Sequence, residues 1–352
     1  MGTKPPDADR LREIFAALGF VTSSTKMTSV LQCAFKAAQA SDTTILIQGE
    51  TGTGKQVLAR AIHSLDAKRA QFPFVTVHCS TVNEDLAESE LFGHRKGSFS
   101  GAVSSRPGLF QSADHGTVFL DDVNDLPLRL QPKLLDALQR GSVRPLGADR
   151  EQHLDVRVIA AANQRLEPLV AQGAFRADLY HRLNVIRMAL PPLREREEDL
   201  ASLVMEFAHR YPELYERIES LEPELLEHLK ACRFEGNVRE LENAVQRTLF
   251  MKNDGDSLTR ADWLRQENDA VEAVNSDEMP KAANLLWIIM LKNQLPFPEL
   301  MRQIEGELLR RALQIGGKTR KEIAEFLKTS ERTLYHKMQA HVIGAGPRRE
   351  AG

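Results

Sequence analysis

Apolar positions along this chain change period twice. Leu11, Ile14, Phe15 and Leu18 recur at helical spacing, with Asp9 placed to cap the helix and Gly19 to end it. A second helical pattern covers Thr28 to Ala40. Short continuous apolar runs follow. Thr43–Ile47, Phe74–Val77, Val118–Leu120 and Val156–Ala161 read as buried strands, with a helix over Gly54–Leu65 between the first two. Strands alternating with helices predict an α/β fold around a parallel sheet. Past about Pro192 the strands stop. The pattern then divides the chain into a lead at 1–25, an α/β part at 26–192, a helical part at 193–252, a linker at 253–299 with a helix around 285–291, and a helical block at 300–342.

Composition changes this picture little. With 352 residues, 42% of them hydrophobic and 27% charged, the chain is an ordinary globular one, and wholesale disorder or a disulfide-stapled scaffold is excluded. Cys33, Cys79 and Cys232 lie far apart without a CxxC pair, which favours a reducing compartment over a zinc site. The most apolar run, 285–291, is far shorter than the ~20 residues a bilayer requires, and the first residues lack a signal-peptide core. A soluble cytoplasmic protein with no membrane partner is expected. The net charge of −3 argues against nucleic-acid binding over the whole surface. Its distribution is uneven, however: residues 301–352 hold 11 Lys and Arg against 6 Asp and Glu, net +5, which leaves −8 for the remainder.

Two segments carry chemistry. Gly49-Glu50-Thr51-Gly52-Thr53-Gly54-Lys55 follows a strand and opens a helix, the setting in which G-x-x-x-x-G-K cradles phosphates. Its glycines let backbone N–H groups face phosphate oxygens, and Lys55 reaches the β- and γ-phosphates of ATP. Gln56 stands where a Ser or Thr hydroxyl would meet Mg²⁺, so a water takes that place. Val118-Phe119-Leu120-Asp121-Asp122 has the shape of a Walker B strand, with Asp121 for Mg²⁺ and Asp122 for the attacking water. By itself it reads equally as a strand ending in an acidic turn; the phosphate loop tips the balance.

Further segments stand in a recognisable order: Glu88-Ser89-Glu90-Leu91-Phe92-Gly93-His94, Gly97-Ser98-Phe99-Ser100-Gly101-Ala102, Phe175-Arg176-Ala177-Asp178-Leu179-Tyr180, Leu190-Pro191-Pro192-Leu193-Arg194-Glu195-Arg196 and Gly236-Asn237-Val238-Arg239-Glu240-Leu241. With the two nucleotide segments, residues 25–252 resemble the AAA+ ATPase domain of the sigma-54-dependent transcriptional activators. The resemblance implies that Gly97, Ser98, Phe99, Ser100, Gly101 and Ala102 form the loop that contacts sigma-54. It implies that Arg176 and Arg182 are arginine fingers acting on a neighbouring subunit's nucleotide in a ring, typically a hexamer. It also implies that Arg239 is the sensor II arginine and that Asn163 is the sensor I residue. Read alone, Arg176 and Arg182 are ordinary surface charges. Ser98, Ser100, Ala162 and Glu235 depart from the family pattern. So do Asp122, one carbon shorter than the usual glutamate, and His78, which replaces the asparagine that holds that glutamate. His78 reads equally as a hydrogen-bond partner of Asp122 and as a polar residue ending a strand; ATP binding is expected to be retained and hydrolysis slowed.

The last helical block reads as Glu305–Ile315, stopped at Gly316-Gly317, then Thr319–Leu327, a turn, and a helix capped by Ser330 and running to about His341. This resembles the Fis-like helix-turn-helix that ends these activators, with Arg332, Thr333, Tyr335, His336 and Lys337 facing double-stranded DNA. A small dimerisation bundle is the competing description. The expected function is ATP-dependent remodelling of sigma-54 RNA polymerase from upstream DNA. The alternative is a DNA-binding regulator that binds ATP for assembly and hydrolyses it poorly. About 25 residues ahead of the ATPase part are too few for a receiver domain.

Overall fold

Parallel strands in the order β2-β3-β6-β1-β7 form the central sheet. The computed structural model describes residues 6–80, 87–98, 103–212, 214–215, 218–268, 286, 296–314, 322–324 and 329–341. Through the α/β part the elements run α1 Ala8–Ala17, α2 Thr28–Ala38, β1 Ile45–Gln48, α3 Lys55–Ser64, β2 Phe74–His78, α4 Ala87–Phe92, α5 Leu109–Ser112 and β3 Thr117–Asp121. After these come α6 Gln131–Arg140, β4 Ser142–Val143, β5 Gln152–His153, β6 Arg157–Ala162, α7 Leu166–Ala171, α8 Ala177–Leu183 and β7 Ile186–Ala189. The central strands β1, β3 and β6 are almost wholly buried, which is why they appear in sequence as continuous apolar runs.

Side-chain alternation gives the sheet two cores. Leu46, Leu120, Ala160 and Ala162 pack with Phe92, Phe110, Leu134 and Leu179 on one face. Ile45, Ile47, Phe119 and Ile159 pack with Leu11, Phe15, Leu31 and Leu58 on the other. The helix of the lead therefore packs into the core, with Leu11 and Phe15 fully buried. Asp7, not Asp9, caps α1 by accepting the Arg10 N–H at 2.9 Å. Asp7 has the extended backbone a cap needs, and Asp9 sits in the first turn, where the helix dipole favours an acid. Strand β7 has no counterpart among the expected strands: Met188 is its only buried residue, so it carries no apolar run.

The helical part is α9 Asp199–Arg210, α10 Pro223–Ala231, α11 Asn237–Met251 and α12 Arg260–Asn268, with the two-residue parallel strands β8 Ser220–Leu221 and β9 Ser257–Leu258. Its core holds Leu200, Phe207, Leu225, Leu241, Leu249, Leu258 and Trp263. Residues 253–268, expected to belong to a linker, thus continue this helical part, which forms a lid spanning residues 193–268, and the expectation of helices alone is corrected by β8 and β9.

Residues 270–352 form a second compact unit. Its described part has helices Phe297–Gln314 and Glu331–Ala340 and a short helical stretch at 322–324. Leu309, Ala312, Ile323, Ala324, Leu334 and Met338 make its core. The first helix starts eight residues before the expected Glu305. Ser330 caps the last helix, its Oγ accepting the Thr333 N–H at 3.1 Å. Gly316, Gly317 and most of the expected helix Thr319–Leu327 lie outside the described residues, as do residues 269–285 and 287–295.

Candidate functional site

The phosphate loop joins β1 to α3, and its shape depends on glycine at two points. Gly52 and Gly54 have φ of 79° and 100°, the left-handed region in which a side chain is strained. Gly52 also lies against the lid, where an added Cβ would stand 2.1 Å from the Gly236 carbonyl oxygen. The loop is correspondingly fastened to residues 193–238. The Val238 N–H donates to Gly52 O at 3.0 Å. Asn237, fully buried and itself left-handed at φ 56°, accepts the Leu193 N–H at 2.8 Å through Oδ1 and donates to Thr51 O at 3.0 Å through Nδ2. Buried Arg196 donates to Thr53 O at 2.8 Å.

Lys55 is 7% exposed and donates to the Gly49 and Glu50 carbonyls at 2.7 and 3.1 Å. Burial pulls its ammonium below the usual lysine range, and the Asp122 and Asp121 carboxylates oppose that shift. Thr53 Oγ1 donates to Glu50 O at 2.8 Å, which stiffens the turn. The Glu50 carboxylate faces away from the expected phosphate role. It makes a two-pronged pair with Arg194 at 2.6 and 2.8 Å, which holds its carboxyl down to about 2.

Strand β3 ends on Asp121. Burial, then the neighbouring Asp122, push its carboxyl above the ordinary aspartate range. Asp122 turns left-handed at φ 50° to enter a short 3-10 turn, Val123–Asp125, a conformation aspartate tolerates better than most residues. His78 ends β2 in register with Asp121, and its Nδ1 stands 3.5 Å from Asp121 Oδ2. Parallel β2–β3 pairing thus puts the histidine opposite the first of the two carboxylates. Asn163 follows β6 and donates its backbone N–H to Asn124 Oδ1 at 3.2 Å.

The phosphate loop, the two carboxylates and α11 meet in one cleft of about 160 Å³, which His78 and Asn163 do not line. Thr51, Gly52, Gly54, Lys55 and Gln56 line one wall, Asp121 and Asp122 a second, and Val238, Arg239 and Glu242 of α11 a third. A larger cavity of about 650 Å³ lies elsewhere, between α4, α6 and the β4–β5 segment, among Glu88, Lys133, Asp136, Arg140, Arg144 and Glu151. Its charges pair with one another, Lys133 with Glu88 and Arg144 with Glu151, and the phosphate loop does not border it. Among the described residues no group of three or more His, Cys, Asp and Glu side chains is placed to hold a metal ion, and no helix is long and apolar enough to cross a membrane.

The remaining candidate residues lie apart from the cleft. Arg176 caps α8 from an exposed position and pairs with Asp178 at 2.8 and 3.0 Å, and Arg182 donates to Leu138 O at 2.6 Å. Neither lines this chain's own cleft. Gly97 is left-handed at φ 82°, and Ser98 packs on Gly147, where an added Cβ would meet Ser98 Cβ at 2.8 Å. Phe99, Ser100, Gly101 and Ala102 lie outside the described residues. In the second unit Arg332, Thr333, Tyr335, His336 and Lys337 are all exposed while Leu334 and Met338 are buried. Lys337 forms an ion pair with Glu305. Sequence reasoning gave no role to Arg194, Arg196 or Asn237, although all three lie inside the segments it singled out. Asn124 carried no signal beyond following the two carboxylates.

Residues 20–189 match the family model described as the Sigma-54 interaction domain, and residues 194–278 match the AAA+ ATPase lid domain. The chain is 43% identical to the Nif-specific regulatory protein of Bradyrhizobium diazoefficiens over 72% of its own length and 43% of that protein. It is 38% identical to the regulatory protein AtoC of Escherichia coli, over 92% of this chain and 68% of AtoC. Among solved structures, NtrX of Brucella abortus in complex with ADP superposes with a TM-score of 0.63 at 30% identity, covering 95% of this chain and 72% of that one. The chain thus spans less than half of the Bradyrhizobium relative and about two thirds of AtoC. A parallel AAA+ sheet with its helical lid, a cleft joining phosphate loop, paired carboxylates and lid arginine, and these matches together place the chain in the sigma-54-dependent family of transcriptional activators.

Proposed function

We propose that this chain is an ATP-driven activator that binds upstream DNA and remodels RNA polymerase carrying sigma-54. The observation that carries the proposal is the convergence of Lys55, Asp121, Asp122 and Arg239 on one cleft. The similar Brucella protein was solved with ADP and with ATP. In the proposed mechanism, loop N–H groups and Lys55 hold the phosphates, and Asp122 orients the attacking water. Arg239 senses the γ-phosphate from the lid. Mg²⁺ would arrive with the nucleotide, and Asp121 would be the carboxylate that holds it on the protein side. Bound there, it would neutralise charge on the transferring phosphoryl group.

Arg176 and Arg182 are exposed and off their own cleft, which suits fingers supplied to a neighbour in a ring. The short Asp122 side chain slows hydrolysis, since it falls roughly 1.5 Å short of a glutamate's reach. DNA binding rests on the exposed side chains of Glu331–Ala340 and on the net +5 of residues 301–352. Such a protein works in the cytoplasm. The test is open-complex formation by sigma-54 polymerase on a promoter with an upstream site. Melting of the promoter that requires both this chain and hydrolysable ATP is expected. Ring assembly with ATP but no melting would overturn the proposal.

A further inference from the structure

Glu50 is an anion placed in a loop built to receive anions. Backbone N–H groups and Lys55 favour negative ligands here, so a carboxylate facing inward would repel the phosphates it shares the loop with. The structure directs it elsewhere. Both oxygens take the Arg194 guanidinium, at 2.6 and 2.8 Å, and Oε2 also accepts Asn237 Nδ2 at 3.2 Å. Arg194 belongs to the segment that leads from the sheet into the lid, and Asn237 is the first residue of lid helix α11. One carboxylate therefore grips the lid at two places, its entry segment and the start of α11.

Arg239 lies two residues beyond Asn237 and shares the cleft with Lys55. The two cations repel each other; Arg239 is among the groups that lower the Lys55 pKa. Before a phosphate lies between them, the position of Arg239 depends on the restraint that ties the lid to the loop beside the Val238–Gly52 and Asn237–Thr51 bonds. We infer that Glu50 is this restraint, a positioning residue that holds the lid by Arg194 and Asn237 so that Arg239 is set over the phosphate loop before ATP arrives. The inference rests on the cleft being a nucleotide site.

The sign of one measurement separates this role from simple electrostatics. Glu50→Gln removes a negative charge from a phosphate site, which by Coulomb's law alone strengthens ATP binding. A restraint predicts the opposite. Binding of a fluorescent ATP analogue with Mg²⁺ to the full chain is measured for the parent and for Glu50→Gln, Arg194→Ala, Arg239→Ala and Glu50→Gln/Arg239→Ala. Because the Glu50–Arg194 pair is half-exposed, Glu50→Gln and Arg194→Ala are each expected to weaken binding about two- to fivefold. In the Arg239→Ala background, Glu50→Gln is expected to cost nothing further, since the group it positions is gone. Equal or tighter binding by Glu50→Gln overturns the inference, as does an undiminished loss in the Arg239→Ala background. Should Glu50→Gln fail to fold, Glu50→Asp keeps the charge and shortens the reach: weakened binding supports the restraint, and parent-like binding overturns it. A parent chain that binds no nucleotide overturns the nucleotide site itself, and the restraint with it.

Discussion

Two of the three walls of the cleft, the phosphate loop and the carboxylates, are built on opposite principles. The phosphate-loop wall is held by backbone and buried polar contacts: Gly52 against Gly236, Val238 to Gly52, Asn237 to Thr51 and Arg196 to Thr53. The carboxylate wall consists of two adjacent acids whose charges disfavour each other, with Asp121 raised by burial and Asp122 in a left-handed turn. One wall is preorganised for binding, and the other sets two acids side by side, with Lys55 and His78 offsetting part of their charge. Binding and turnover are therefore expected to fail separately, depending on which wall is altered.

The largest effect is expected where neither wall is touched. Arg176→Ala or Arg182→Ala should leave ATP binding intact and lower turnover by about 10³-fold, the usual scale for an arginine finger. Steady-state ATPase and equilibrium binding on the same preparations check the split. Mixing Arg176→Ala with Asp122→Asn should restore part of the activity, because each supplies what its neighbour lacks.

On the loop wall, Lys55→Ala removes the charge-assisted contacts to phosphate and should weaken ATP by about 10- to 100-fold. A calorimetric titration measures it; an unchanged Kd would contradict the assignment of that wall to binding. On the other wall, Asp122→Glu should raise turnover several-fold while changing Kd little, since near-attack geometry responds to shifts of roughly 1 Å. A rate no higher than the parent's would show that the short side chain is not what limits hydrolysis.

The smallest effect sharpens the contrast in stability. Asp121 has a folded-state pKa above its unfolded value, so folding favours its protonated form, and its ionisation costs stability as pH rises past the unfolded value. Asp121→Asn should therefore raise the melting temperature of the nucleotide-free chain slightly at pH 7, with the gain vanishing at low pH where the parent is protonated. The same variant should bind ATP less well in the presence of Mg²⁺. Thermal melts across pH, with and without Mg-ATP, read both halves.

Much of the α/β fold was legible because buried parallel strands leave continuous apolar runs, as at Ile45–Ile47 and Val158–Ala162, and because the phosphate loop needs glycine at fixed offsets. Strand β7 was not, since an edge strand with one buried side chain leaves no run. The lid's extension to Trp263 was hidden because α12 is polar along most of its length and buries little besides that ring. Lys55, Asp121 and Asp122 could be picked out by spacing alone. Asn237 and Arg196 could not, because their partners, Thr51 and Thr53, are distant in the chain.

The amino-acid order alone establishes a nucleotide-binding α/β layer, a helical lid, a basic C-terminal end and the chemical type of each wall of the cleft. These follow from local rules: side-chain period, glycine's backbone freedom and charge along the chain. The partner of His78 and the direction of the Glu50 carboxylate depend instead on how strands register and where α11 docks. Both are long-range consequences of packing, and no local pattern encodes them. A pair of side chains chooses its partner only after burial has brought the elements together.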